Sequence, residues 1–161
     1  MDFAANMQNS SEKTPARSVS AGTSVRILGH YVRDLSFVSP EGPINEQAEQ
    51  PTLNLEIGLN QDRKSATKYE LAVHITAKAS TGTTNMYDLK LVFAGMFEFS
   101  GLSDDQIQAV LHVNCPAILF PYYRQLLGDI TRAGGFAPVW LDPIDWGSVY
   151  ADRIKMSEMD S

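Results

Sequence analysis

"MYDLKLVFAGMFEFSGLSDDQIQAV", running from Met86 to Val110, changes its hydrophobic period midway. Tyr87, Leu89, Leu91, Phe93, Phe97 and Phe99 all fall on odd positions, the alternation of a strand that buries one face of its pleat. Ser103-Asp104-Asp105-Gln106 then reads as a capping box. The Ser103 hydroxyl can accept from the Gln106 backbone N–H, and the Gln106 side chain can return the bond. Ile107, Val110 and Leu111 follow at helical spacing.

Toward the N-terminus the same strand pattern repeats. "KYELAVHITAKA" (Lys68–Ala79) aligns Tyr69, Leu71, Val73 and Ile75, and "TLNLEIGLN" (Thr52–Asn60) aligns Leu53, Leu55, Ile57 and Leu59. A first strand from Val25 puts Val25, Ile27, Tyr31, Leu35 and Phe37 on one face, with Arg26, His30, Asp34 and Ser36 between them. Four such strands predict a mostly antiparallel meander. Gly29 and Gly95 interrupt strands and predict bulges or close backbone approach. The loop from Ser39 to Pro51 holds three prolines and is too long for a tight hairpin, so it is expected to cross over another part of the chain.

Toward the C-terminus, "NCPAILFPYYRQLLGDITRAGGF" (Asn114–Phe136) carries Ile118, Tyr122, Leu126 and Ile130 every four residues, with Leu119, Tyr123 and Leu127 alongside. That is a wide apolar stripe on a helix. Proline removes a helical hydrogen bond and crowds the preceding turn, which predicts a break or kink at Cys115-Pro116. Gly134-Gly135 supplies the stop. A short last helix is expected from "DPID", with Asp142 as cap, Pro143 in the first helical position, Asp145 at the positive dipole end and Leu141 packing on Trp146. Residues 1–22 read as a disordered tail, 23–155 as one domain and 156–161 as a flexible tail.

The totals exclude several classes. A chain of 161 residues with 43% hydrophobic and 20% charged residues is ordinary for one globular domain. Its net charge of −6 argues against nucleic-acid binding, which needs clustered cations. The one cysteine, Cys115, allows no internal disulfide and no cysteine-based zinc site. No apolar run is long enough to span a bilayer, and the first twenty residues lack the apolar core of a signal peptide. A soluble cytoplasmic protein is expected.

Catalytic motifs are not found: there is no phosphate-cradling glycine loop, G-x-S-x-G, H-E-x-x-H or C-x-x-C. His30 and His74 are expected on polar strand faces, and His112 in the capped helix. Cys115 reads as a small buried hydrophobe, and the Asp104-Asp105 and Asp142/Asp145 pairs as helix starts. What does stand out is surplus grease. Met86, Val92, Ala94 and Met96 on the fourth strand, with Leu28 and Val32 on the first, leave a second semi-apolar surface on the sheet face away from the helices. Monomers rarely expose such area, so a homo-oligomer is expected. The aromatic and methionine side chains also suit a groove that accepts many apolar partners, and long edge strands can pair with extended peptides.

"CPAILFPYYRQ" with "GGFAPVWLDPIDW", "YVRDLSFVSPEGP" and "AGMFEFSG" together resemble the SecB family of bacterial protein-export chaperones, most nearly its alphaproteobacterial members. The resemblance covers about Val25 to Ile154 in the right order. It implies an α+β protomer with a four-stranded antiparallel sheet, a long proline-interrupted helix and a short C-terminal helix, assembled as a dimer of dimers. It implies an ATP-independent holdase that binds unfolded preproteins and delivers them to the SecA ATPase, with no catalytic residue, cofactor or membrane insertion.

By the same resemblance SecA docks on an acidic sheet patch. Asp34 matches one acidic position, and Asp88 is a nearby substitute, but Val38 and Lys90 stand where acidic residues are usual. Leu89, Leu91 and Phe93 match strand positions linked to client handling, and Tyr122, Tyr123, Trp140 and Trp146 are further candidates for the client groove. Val38 and Lys90 motivate an alternative, a SecB-like chaperone of a non-export client such as an unstable antitoxin. An enzyme acting on an apolar acyl ligand lacks the converging acid, base or nucleophile it would need.

Overall fold

The computed structural model describes residues 22, 24–43 and 51–161. The expected N-terminal tail and the middle of the proline-bearing loop lie outside the described residues. Strands β1 (Ser24–Val38), β2 (Thr52–Arg63), β3 (Lys68–Thr81) and β4 (Thr84–Ser100) precede helices α1 (Asp104–Ala133) and α2 (Trp146–Met159). This is an α+β fold with one antiparallel four-stranded sheet.

The strand order is β1-β4-β3-β2, which corrects the meander. Only β2, β3 and β4 are joined as successive neighbours, and β1 pairs with β4 at the opposite edge from β2. The β1–β2 connection therefore passes from one edge of the sheet to the other, which is why it is long. The central strands β3 and β4 carry the core, with Leu71, Val73, Ile75, Leu91, Phe97 and Phe99 at most 2% exposed. Burial of this apolar face against α1 is the main stabilising term.

Helix α1 starts on the expected capping box: Gln106 N–H donates to Ser103 Oγ at 3.3 Å, and Ser103 N–H donates to Gln106 Oε1 at 2.9 Å. It ends at Gly134, with Gly135 at φ +87°, a left-handed conformation that glycine adopts without strain. Between those ends it runs unbroken through Pro116 and Pro121, so the break expected at Cys115-Pro116 does not occur. Each proline costs about 3 kcal/mol in a helix interior. Here Ile107, Leu111, Cys115, Leu119, Tyr123, Leu127 and Thr131 form one continuous buried line at four-residue spacing, and that packing outweighs the penalty.

The burial line lies one position along from the expected stripe. Leu119, Tyr123 and Leu127 are fully buried, while Ile118 and Tyr122 are 41% and 46% exposed.

Helix α2 also departs from expectation. Its N-cap is Asp145, not Asp142, and Asp145 accepts from Ser148 N–H at 3.1 Å and Ser148 Oγ–H at 2.8 Å. Those bonds, the backbone one first, hold the Asp145 carboxyl below its usual range. The helix continues to Met159, so most of the segment 156–161 is helical.

Candidate functional site

Strand β1 explains where the surplus grease goes. Its pairing with β4 skips Leu28 and Arg33, with register shifts between Ile27 and Gly29 and between Val32 and Asp34. Each shift is a bulge that puts one extra residue on β1 and flips the facing of the residues after it. Between the two bulges His30 pairs with Gly95 and Tyr31 with Ala94. His30 therefore lies on the helix side, stacked on Tyr122 with ring centroids 4.0 Å apart, not on the polar face expected for it. Tyr31 moves to the opposite face, where its hydroxyl donates to Glu70 and Arg33 Nη1 approaches Glu70 Oε1 at 2.7 Å. After the second bulge the original facing returns, with Leu35 opposite Leu91 and Phe37 opposite Leu89.

Helix α1 is one rod on a four-stranded sheet, and it covers the centre. The flanks stay open on the same side. On β1, Val25, Ile27, Val32 and Leu35 are about two-fifths exposed, and on β2 so are Leu53 and Leu55. Their register partners Phe99, Phe97, Phe93, Leu91, Ala79 and Ala77 are all buried core. Beside β1 lies a hollow of about 560 Å³ lined by His30, Phe93, Pro121, Tyr122, Gln125, Leu126 and Asp129. Beside β2, a smaller cleft of about 100 Å³ runs under α2 between Ile57, Leu59, His112, Trp146, Val149 and Tyr150.

Of the residues expected to make the sheet face away from α1 semi-apolar, Val32 turns to the helix side opposite Phe93, while Leu28 stays 42% exposed. Met86 belongs to the main core, and Ala72, Val92 and Ala94 form a small buried cluster. Around that cluster the face is charged and cross-paired. Arg26 meets Glu98 at 3.4 Å, Arg33 meets Glu70, Lys90 Nζ lies 3.5 Å from Asp34 Oδ2, and Lys78 Nζ lies 4.0 Å from Asp88 Oδ1. Asp34 and Asp88, the candidate docking acids, thus each have a lysine beside them. Both ion pairs are about half exposed and contribute little to stability, but they neutralise the face locally.

The candidate groove residues separate into two sets. Leu89, Leu91, Phe93, Tyr123 and Trp146 are at most 6% exposed and belong to packed interior, whereas Tyr122 and Trp140 are 46% and 42% exposed. Phe93 alone of the buried set also lines the larger hollow. The sequence reading missed His30, Pro121, Gln125, Leu126 and Asp129 as its other walls. A pair of glycines was the available signal. Gly29 borders the first bulge, and at Gly95 a Cβ would stand 2.8 Å from Leu119 Cδ2, so only glycine lets α1 lie this close to β4.

The SecB family model, described as preprotein translocase subunit SecB, matches residues 19–157. The chain belongs to the SecB family. Curated SecB relatives named protein-export protein SecB include those of Hyphomonas neptunium, 33% identical over 88% of this chain and 86% of the relative, and Caulobacter vibrioides, 33% identical over 91% of each. That of Parvibaculum lavamentivorans is 38% identical over 80% of this chain and 78% of the relative. Among solved structures, the SecB-like chaperone of Mycobacterium tuberculosis, in complex with a peptide from the HigA1 antitoxin, aligns with a TM-score of 0.64. It is 17% identical and covers 74% of this chain and 90% of that one, so it bears on the SecB fold alone. No helix among the described residues is long and apolar enough to cross a membrane.

Proposed function

We propose that this SecB-family protein is an ATP-independent holdase that binds unfolded preproteins, hands them to the SecA ATPase for export, and works as a homotetramer in the cytoplasm. The observation that carries this reading is the open apolar flank on each side of α1, exposed on a chain whose central core is complete. Sister copies and unfolded client segments are the two kinds of partner such flanks suit. The long β1 edge can continue the sheet into a second copy or an extended peptide by backbone hydrogen bonds. A client bound only when unfolded is held back from folding by mass action, with no need for ATP. Each contact can be weak, because several flanks on one assembly act on the same chain. No step in this role makes or breaks a covalent bond.

Delivery assigns the docking of SecA to the face that carries Asp34 and Asp88. Lys90 and Lys78 beside them favour a second reading, in which the chaperone serves a non-export client such as an unstable antitoxin and the SecA contact is weak. The deciding experiment tracks the refolding of an apolar precursor without ATP while native mass is recorded. The expected result is delayed refolding and a species near four chain masses. A monomer that leaves refolding unchanged contradicts the reading. Binding to SecA that falls on Asp34→Ala supports export, and its absence with refolding still delayed supports the second reading.

A further inference from the structure

The middle of β1 holds two residues more than the strand it pairs with. Between the pairs Ile27–Phe97 and Asp34–Val92, residues 28–33 of β1 stand against residues 93–96 of β4. Other contacts fix both ends of the strand. At one end Arg26 meets Glu98 at 3.4 Å. At the other, Phe37 packs on Tyr87 and Phe136, and Ser39 Oγ–H donates to the Met86 carbonyl at 2.9 Å. The excess is therefore absorbed between them, and a sheet offers two ways to do it. A single bulge of two residues keeps the odd-numbered residues on either side of it facing α1. Two bulges of one residue each turn the segment between them over, because side-chain facing alternates along a strand. The structure takes the second way, with Leu28 and Arg33 as the extra residues.

Glu70 distinguishes the two. It lies on β3, two strands away from β1, and is only 6% exposed. Both of its carboxylate oxygens are nonetheless held by β1: Oε2 accepts from the Tyr31 hydroxyl, and Oε1 accepts from Arg33 Nη1 at 2.7 Å. The strand in between presents Ala94 opposite Tyr31, with Ala72 as its other neighbour, and such small side chains leave the span open. A buried carboxylate without a cation or hydrogen-bond donors is strongly disfavoured. As odd-numbered residues, Tyr31 and Arg33 belong to the α1 side in the single-bulge arrangement, and Glu70 would lose both.

We propose that Glu70 is a positioning residue for β1. By drawing Tyr31 and Arg33 across β4 it divides the excess into two bulges. It thereby places His30, in the stead of Tyr31, beside Phe93 and Tyr122 in the wall of the larger hollow. That the hollow holds client segments rests on the proposed function; the lock on β1 does not.

The chain has three histidines, His30, His74 and His112, so ring-labelled imidazoles in the full-length protein give three sets of NMR signals, assigned by substituting each histidine with Gln. The spectra are taken at about pH 8.5, above the usual imidazole range. Stacking on Tyr122, with centroids 4.0 Å apart, should shift the His30 ring protons upfield, and Tyr122→Leu should remove that shift. Glu70→Gln keeps the shape of the side chain without its charge, and Glu70→Leu keeps neither charge nor acceptors. The upfield shift should shrink in the first and vanish in the second, with the His112 signals unmoved. Arg33→Lys keeps a cation near Glu70 and should keep the shift. Tyr31→Phe combined with Arg33→Gln removes the same contacts from the exposed end and should lose it, which covers the case of a Glu70→Leu chain that does not fold. Leu111→Ala lowers stability through a core cavity and should leave the shift in place.

A His30 ring that keeps its full upfield shift in Glu70→Leu, or in the Tyr31→Phe, Arg33→Gln pair, overturns the lock. So does a Leu111→Ala chain that loses the shift as fully, because Glu70 would then act through stability alone. Delayed refolding of an apolar precursor, measured on the same samples, keeps this claim apart from the holdase reading. If the shift is lost and the delay persists, the lock stands and the hollow is no part of the holding surface. If the unsubstituted protein gives no delay while the shift still depends on Glu70, the holdase reading fails and the lock stands.

Discussion

Leu91 and Leu35 face each other across β4 and β1, on the same side of the same sheet, yet Leu91 is fully buried and Leu35 is 43% exposed. The same contrast separates the central strands from both edges. Every strand alternates polar and apolar residues, but one helix covers only the middle of a four-stranded sheet. Alternation tells which way a side chain points. Whether anything covers it depends on layer width, and here the layer is too narrow by one strand on each side.

The largest test of that contrast is truncation at each member of the pair. Leu91→Ala should cost about 2–5 kcal/mol of unfolding free energy, the usual range for a cavity in a packed core. Leu35→Ala should cost less than about 1 kcal/mol in the dilute chain, while weakening self-association and client holding. Urea unfolding on dilute samples measures the first quantity and native mass the second. Equal destabilisation at the two sites would mean that the edge is covered within one chain.

Glycines sharpen the same point at smaller magnitude. Gly95→Ala forces a methyl to within 2.8 Å of Leu119 and Phe97, and should destabilise by about 1–3 kcal/mol. Gly58→Ala, on edge strand β2 with open space around its Cβ position, should instead stabilise by about 0.4–1 kcal/mol through the unfolded chain. Thermal unfolding of the two variants should therefore shift in opposite directions.

Titration offers a third comparison, between a core thiol and an edge-strand phenol. Burial pushes the Cys115 thiol up to about 12. Burial first, and then the bond to Glu70, pushes the Tyr31 hydroxyl up to about 12. In the unfolded chain such groups lose their protons at about 8.5 and 10. The folded chain keeps them, so the unfolded state binds fewer protons in this window and stability falls as pH rises from about 9 toward 12. Below about pH 7 neither group contributes appreciable slope. Urea midpoints across that range check the direction, and a flat profile contradicts it. Cys115, fully buried, should react with thiol reagents only when the chain unfolds.

Much of the fold is legible in the sequence because its signals are local. The odd-position apolar residues of β3 and β4, the Ser103–Gln106 capping box and the Gly134-Gly135 stop each depend on a few neighbouring residues. What escapes is set by contacts distant in sequence. Gly29 marks the first of the two bulges, but nothing local marks the second, at Arg33, so the swap that sends His30 to the helix side and Tyr31 to the other face and then cancels is not readable. Strand order depends on where the long loop lands. Pro116 and Pro121 read as breakers because their cost is local, while the buried line that outweighs it comes from the sheet. The candidate site shares this fate: Leu89, Leu91 and Tyr123 carry strong apolar signals because they are core, whereas the open hollow draws on His30, Gln125 and Asp129, which periodicity reads as polar surface. The candidate docking acids Asp34 and Asp88 are legible as residues, but their lysine partners depend on cross-strand register.

Amide hydrogen exchange, strand by strand, tests most directly whether other chains complete the sheet's uncovered margins. Moving from dilute protein to concentrated protein with saturating unfolded precursor should slow exchange along β1 and β2 and leave the already protected amides of β3 and β4 unchanged. Edge strands that exchange at one rate under both conditions, while the precursor is demonstrably held, would contradict the account.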